Sequence, residues 1–215
     1  MSRVLPILFN TDMTKAILDG RKTATRRLAK NIPTETHLVE YLGDGMYECY
    51  WGGYQPDTGA FVDGSCTISS SYVPGDILYV RETWGNYSYD YPDSNASYYL
   101  YRADYPDGAR TYEFDGITCD LPKWRPSIHM PKEAARIWLK VTDVRVERLQ
   151  DITEVQAQYE GCNSGMLTGP CTARGQFENL WNSTIKKSDL DRYGWNANQW
   201  VWVIEFERCE KPEGE

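Results

Sequence analysis

From Ile137 to Val146 apolar residues alternate with polar ones, and partway along the alternation slips by one residue. Ile137, Leu139 and Val141 share one parity; Val144 and Val146 share the other. A period of two marks an extended strand with one face buried, because successive side chains point to opposite faces. The slip predicts a β-bulge or bend near Thr142-Asp143, a common device in small barrels. Val4 to Phe9 and Ile77 to Val80 read as short buried strands, and Thr23 to Leu28 as extended. Trp200 to Phe206 reads as a final strand, apolar on both faces for most of its length.

Helical stretches are short and well marked. Met13, Ala16, Ile17 and Leu18 form a stripe behind Thr11 as N-cap and Asp12 in the first turn, with Gly20 as the residue that ends the helix. Thr153 with Gln156 fits a capping box, and Gly161 closes the helix it opens. Phe177, Leu180, Trp181 and Thr184 form another stripe. Several strands with a few short helices predict an α+β chain with a closed or nearly closed sheet.

The chain has 215 residues, and 41% hydrophobic content with 13% aromatics supports a core. Two Gly-, Tyr- and Asp-rich stretches, about 31–72 and 85–122, read as insertions around the strand that follows the Val73-Pro74-Gly75-Asp76 turn. One domain, 1–215, with two insertions is simpler than two domains. No run approaches the ~18 apolar residues of a membrane span. The start of the chain has no signal-peptide pattern, so a cytoplasmic protein is expected. Six scattered cysteines form no CxxC pair, which favours free thiols over a structural zinc. No metal or other cofactor is expected.

The net charge of −8 is unevenly spread. Residues 1–30 carry seven Lys/Arg against two Asp/Glu, whereas 31–122 carry three against fifteen. An acidic chain lacks the broad basic face that long duplexes require, but a local basic pocket remains open to a nucleotide or short strand. That pocket is signalled by Gly20-Arg21-Lys22-Thr23-Ala24-Thr25-Arg26-Arg27, with four cations and two hydroxyls. Crowded cations lower each other's pKa, and only the lysine can become a neutral amine. A lysine amine beside a threonine hydroxyl activates a weak oxygen nucleophile. Lys22 and Thr25, three apart, converge only if the chain turns after Gly20. The competing reading is a solvated basic turn at a helix C-terminus.

The run that begins Gly20-Arg21-Lys22-Thr23-Ala24-Thr25-Arg26 resembles the GxKxxTxR signature of the ASCH domain, a member of the PUA-like superfamily. The segments Pro74 to Trp84, Trp124 to Pro131 and Tyr193 to Asn198 resemble the larger ASCH proteins carried by bacteriophages and prophages. The likeness covers about residues 4–30, 73–84, 123–162 and 176–208 and leaves the two insertions unexplained. It implies a small β-barrel with flanking helices and a pocket lined by the signature. It also implies RNA or modified-nucleobase recognition, and a location in the cytoplasm of a bacterial host cell. One small branch of the family removes the acetyl group from acetylcytidine, and another member has been described as a ribonuclease. In the amidohydrolase branch the working residues are a lysine, a threonine and a glutamate on a following helix. They fall on Lys22, Thr25 and Glu160, with Leu149 to Glu154 resembling the opening of that helix. This chain departs from the branch in length, about twofold, and in its acidic insertions.

The resemblance therefore implies Lys22, Thr25 and Glu160 as catalytic residues, with Gly20, Arg21, Thr23, Arg26 and Arg27 around the substrate. Glu82 and Trp84 join them as candidates: Glu82 as a pocket carboxylate pairing with Arg26 or a base edge, or else as a structural ion pair, and Trp84 as a stacking platform. His129 reads as a packed, hydrogen-bonded histidine, and Trp200 and Trp202 as core. The expected partner is a nucleoside or short single-stranded RNA, with no membrane. The alternatives are a non-catalytic RNA or modified-base binding module, a ribonuclease, or a phage accessory protein that meets a host partner through the Tyr-rich acidic insertion.

Overall fold

The computed structural model describes residues 2–33, 35–54, 61–88, 97–163 and 172–214. In chain order the first strands are β1 (Val4–Leu8), β2 (Ala24–Leu28), β3 (Thr36–Gly43), β4 (Met46–Tyr54), β5 (Phe61–Ser69) and β6 (Ile77–Arg81). Then come β7 (Trp84–Ser88), β8 (Ser97–Tyr101), β9 (Thr111–Phe114), β10 (Ile117–Asp120), β11 (Trp138–Arg148) and β12 (Trp200–Cys209). The helices are α1 (Thr11–Leu18), α2 (Glu154–Tyr159), α3 (Ala173–Thr184) and α4 (Leu190–Tyr193). The chain is α+β with strands predominant. It divides into two compact units: Met1–Gly20, Ile77–Leu139 and Arg208–Glu215 in one, Arg21–Asp76 and Lys140–Glu207 in the other.

In the first unit β1 pairs in parallel with β6, from Val4 opposite Ile77 to Leu8 opposite Arg81. Helix α1 is capped by Asn10, not by Thr11 as its sequence predicts. The Asn10 Oδ1 accepts the Met13 N–H at 2.9 Å, and Thr11 already lies inside the helix. An asparagine amide serves this position at least as well as a threonine hydroxyl. Gly20 follows the helix at φ 73°, the left-handed conformation that glycine adopts without steric cost. The stretch 85–122 supplies two antiparallel hairpins, β7–β8 and β9–β10. Asp115 and Gly116, both at positive φ, form the two-residue turn between β9 and β10.

In the second unit β12 lies between β11 and β2. The apolar slip predicted along β11 appears as a change in burial: Leu139 and Val141 are buried, then Val144. The stretch 31–72 holds the antiparallel meander β3–β4–β5. Tyr47 ties that meander down, donating its hydroxyl to the Val144 carbonyl at 2.7 Å and meeting Trp202 edge-on. The closed barrel expected from the sequence is not formed by the described strands of either unit. In the second, β3, β4 and β5 pair with one another instead of extending the β11–β12–β2 row. The core of this unit packs α2 and α3 against β12 through Ala157, Phe177, Trp181, Val201 and Val203. Burying Phe177 or Trp181 is worth roughly 1.5–3 kcal/mol each. That packing fixes α2, and α2 carries the residue on which the candidate site turns.

Candidate active site

Two short pieces of chain, 138 residues apart, are brought edge to edge in the second unit. Lys22 and Glu160 form an isolated antiparallel bridge. The Thr23 N–H donates to the Tyr159 carbonyl and the Phe206 N–H to the Thr23 carbonyl, each at 2.8 Å. Beyond Thr23, β2 runs antiparallel to β12, with Thr25 opposite Ile204 and Arg26 opposite Val203.

Glu160 is placed by the two ends of α2. At the start, the Thr153 and Gln156 side chains bond reciprocally to each other's backbone N–H, the capping box predicted from sequence. At the end, Glu160 is the cap residue and Gly161 adopts φ 94°. The Gly161 N–H reaches the Gln158 carbonyl at 2.8 Å and the Cys162 N–H the Ala157 carbonyl at 3.2 Å. This pair of bonds is the Schellman motif. It fixes the Glu160 side chain in space more tightly than an open helix end would.

The Lys22 side chain is fully buried, and its ammonium donates to three oxygens. They are Glu160 Oε2 at 2.7 Å, the Glu160 carbonyl at 3.0 Å and the Ala24 carbonyl at 2.8 Å. A cation on the last carbonyl of a helix also meets the negative end of its dipole. Burial pulls the Lys22 pKa down, Glu160 pulls it back up, and Arg27 adds a smaller downward push. The sequence assigned that lowering to the crowded cations of its segment; desolvation is the larger cause.

Glu160 is shared. Its other oxygen, Oε1, accepts from Arg26 Nη1 at 3.3 Å, while Arg26 Nη2 reaches Glu147 Oε2 at 3.0 Å. Arg26 is also fully buried, lies over the Phe177 ring, and leaves its Nε without a hydrogen-bond partner among the described residues. Glu147 then accepts from Arg145 Nε at 2.6 Å, and Arg145 reaches Asp143 and Glu205. Charges of alternating sign thus run from a buried lysine to a half-exposed Arg145. Asp143, Arg145 and Glu147 lie two residues apart on β11, so they share a face. That spacing was the available sequence signal for residues the sequence reading missed.

The other predicted site residues are distributed as follows. Thr25 is buried on β2 and is not one of the three Lys22 acceptors named above. Arg21 is exposed and donates to the Gly161 carbonyl at 2.8 Å. Thr23 is exposed. Arg27 is half-buried, with its pKa lowered by desolvation against the influence of Tyr72 and Glu160. Glu82 and Trp84 belong to the first unit, as does Gly20.

Glu82 is buried, but its cation is Arg136, not Arg26. Arg136 Nε and Nη2 grip its two oxygens at 2.9 and 3.1 Å. Arg136 also bonds Asp104 at 2.7 Å and lies 3.9 Å over the Tyr101 ring. Trp84 is buried with Met130 and Ala134, its indole N–H has no hydrogen-bond partner among the described residues, and Arg125 lies over its ring. His129 is exposed instead of packed, because it sits in a single helical turn at Ser127–His129 on the surface. Trp202 is core, as its strand position predicts; Trp200 is only partly buried, with Arg148 stacked 4.1 Å over it.

Of the described cysteines, Cys49, Cys66, Cys119 and Cys162 are free thiols; Cys171 lies outside the described residues. Among the described residues no helix is long and apolar enough to cross a membrane. Comparisons with protein-family models, with curated proteins and with solved structures return no match.

Proposed function

We propose that this chain is a PUA-like (ASCH) amidohydrolase that needs no metal and acts on the exocyclic amide of an acylated nucleoside such as acetylcytidine. One observation carries the reading: Lys22 and Glu160, 138 residues apart, meet at 2.7 Å with both side chains removed from water. Thr25 stands on the same short segment, also buried.

The pair is suited to move one proton at a time. In a low-dielectric setting, two neutral partners are favoured over two ions relative to water. A proton passing from Lys22 Nζ to Glu160 Oε2 leaves a neutral amine and a carboxylic acid. Lys22 then exchanges one of its three acceptors for the Thr25 hydroxyl and takes its proton as the Thr25 oxygen bonds to the amide carbon. Glu160 delivers its proton to the departing nitrogen as the C–N bond breaks, leaving an ester on Thr25. The Glu160 carboxylate next takes a proton from water, whose oxygen attacks the ester. Lys22 returns its proton to Thr25, and acetate leaves.

The charge around the pair favours a neutral substrate over a nucleic-acid backbone. The three cations Lys22, Arg26 and Arg145 face the four carboxylates Glu160, Glu147, Asp143 and Glu205. Each of these three cations is already matched by a carboxylate, so a phosphate would have to displace one to pair with it. The test is acetate release from acetylcytidine, followed by chromatography, in the native protein and in Lys22→Met, Thr25→Ala and Glu160→Gln. Turnover in the native protein and its loss in all three is the expected result. Turnover that survives Lys22→Met would overturn the reading.

A further inference from the structure

The far end of β2 opens onto a different feature of the second unit. After Leu28 the chain continues through Ala29 and Lys30, and these border a cavity of about 80 Å³ with Ile32, Arg192, Tyr193 and Trp200. A single water needs only ~10–15 Å³ of such space, so there is room for a compact polyatomic group. Two cations stand at this cavity. The Lys30 Nζ lies 5.7 Å from the Tyr193 ring centroid and the Arg192 guanidinium 5.0 Å from the same ring. Both side chains are exposed, and neither forms an ion pair with a described carboxylate. Among the described residues no carboxylate lines the cavity; Asp191, next to Arg192, is not part of its wall.

The setting is held from several sides. The Tyr193 carbonyl accepts from Trp181 Nε1 at 2.9 Å, tying Tyr193 to α3. The Arg192 carbonyl accepts from Gln199 Nε2 at 3.0 Å, and the Ala29 N–H donates to the Trp200 carbonyl at 3.0 Å. Trp200 is itself fixed by its Nε1 bond to the Thr36 carbonyl at 3.1 Å. Two positive side chains converge on one aromatic ring, at a concave place without a carboxylate, in a chain of net charge −8.

We propose that this cavity is a phosphate-binding site, in which Lys30 and Arg192 hold the oxygens of one phosphate group beside Tyr193 and Trp200. Arginine supplies a planar fork for two phosphate oxygens and lysine a point charge for a third. The aromatic walls suit whatever flat group the phosphate carries. The site stands apart from the Lys22–Glu160 pair, and the proposal does not rest on the reading of that pair. Its ligand is free phosphate, a nucleoside monophosphate or a phosphate within a short strand, which share the same chemistry.

Calorimetric titration of the full chain with inorganic phosphate, with cytidine monophosphate and with a short single-stranded RNA tests it. Lys30→Gln, Arg192→Gln and the double variant are run alongside, each checked by circular dichroism for an unchanged fold. At least one of the three probes is expected to bind, with affinity falling about tenfold for each cation removed and weakening as salt rises. Binding of phosphate alone identifies the free ion, and binding that needs cytidine or the strand identifies the larger source; each supports the site. No binding of any probe by the native chain would overturn the proposal, as would a double variant that binds as the native chain does.

Discussion

Replacing Glu160 with glutamine removes one negative charge from between two fully buried cations, Lys22 at 2.7 Å and Arg26 at 3.3 Å. Removing one partner of a buried pair costs roughly 3–5 kcal/mol, because the remaining charge loses its compensation without regaining water. Here the lower end applies. Lys22 keeps the Ala24 and Glu160 carbonyls, and Arg26 keeps Glu147. A loss of about 3 kcal/mol moves the urea midpoint down by about 1 M, with a slope near 3 kcal/mol/M for a chain of this size. The loss depends on pH in a fixed direction. Burial already holds the Lys22 pKa below its ordinary value, so the unfolded chain binds more protons than the native one between those two values. Native stability therefore rises with pH across that window. Without Glu160 the folded pKa drops further, so the variant's loss relative to the native chain is greatest below its own folded pKa and shrinks as pH rises through the native one. A double-mutant cycle with Lys22→Met isolates the pair. The double variant is expected to lose less than the two singles combined, by about 1–3 kcal/mol. Denaturation curves at two pH values supply every number. Additivity within about 0.5 kcal/mol, or a Glu160→Gln variant as stable as the native protein, would refute the reasoning.

Arg136→Ala leaves the buried Glu82 carboxylate without its two-pronged partner and is expected to cost about 3–5 kcal/mol; Arg136→Lys recovers only part, since lysine has no fork. Burial already raises the Glu82 pKa, so native stability falls as pH rises from the ordinary glutamate value through the folded one. Removing Arg136 raises that folded pKa further, and the loss measured by urea midpoint grows from pH 4 to pH 7. Thiol reactivity gives a separate check. Burial pushes the Cys49 and Cys162 thiols up to about 11, so Ellman's reagent at pH 8 is expected to label Cys66 and Cys209 first. Rapid labelling of Cys49 in the folded protein would contradict its burial against β5.

What the sequence made legible was local. A glycine after a short amphipathic stripe, a Thr–Gln capping box and a glycine after Glu160 each specify a helix end from a few neighbouring residues, and each stands where expected. The pairing of Lys22 with Glu160 was not legible in spacing or periodicity; only the resemblance to the amidohydrolase branch implied it. The partners of Arg26 and Glu82 were not legible, because a buried cation or carboxylate needs an opposite charge but its sequence does not say which one. Geometry chose Glu147 for Arg26 and Arg136 for Glu82. The Tyr-rich stretches misled in another way. Their weak alternation hid seven of the described strands, although Asp44-Gly45 and Asp115-Gly116 are strong hairpin signals by composition. Sheet closure was the least legible feature, since it depends on which strand edges find each other.

The most direct measurement of the central claim is acetate release from acetylcytidine by the native protein beside Lys22→Met, with circular dichroism confirming that both are folded. Steady release by the native protein, and none above the uncatalysed rate for Lys22→Met, is the expected result. Equal release by the two, or no release by the folded native protein, would contradict it.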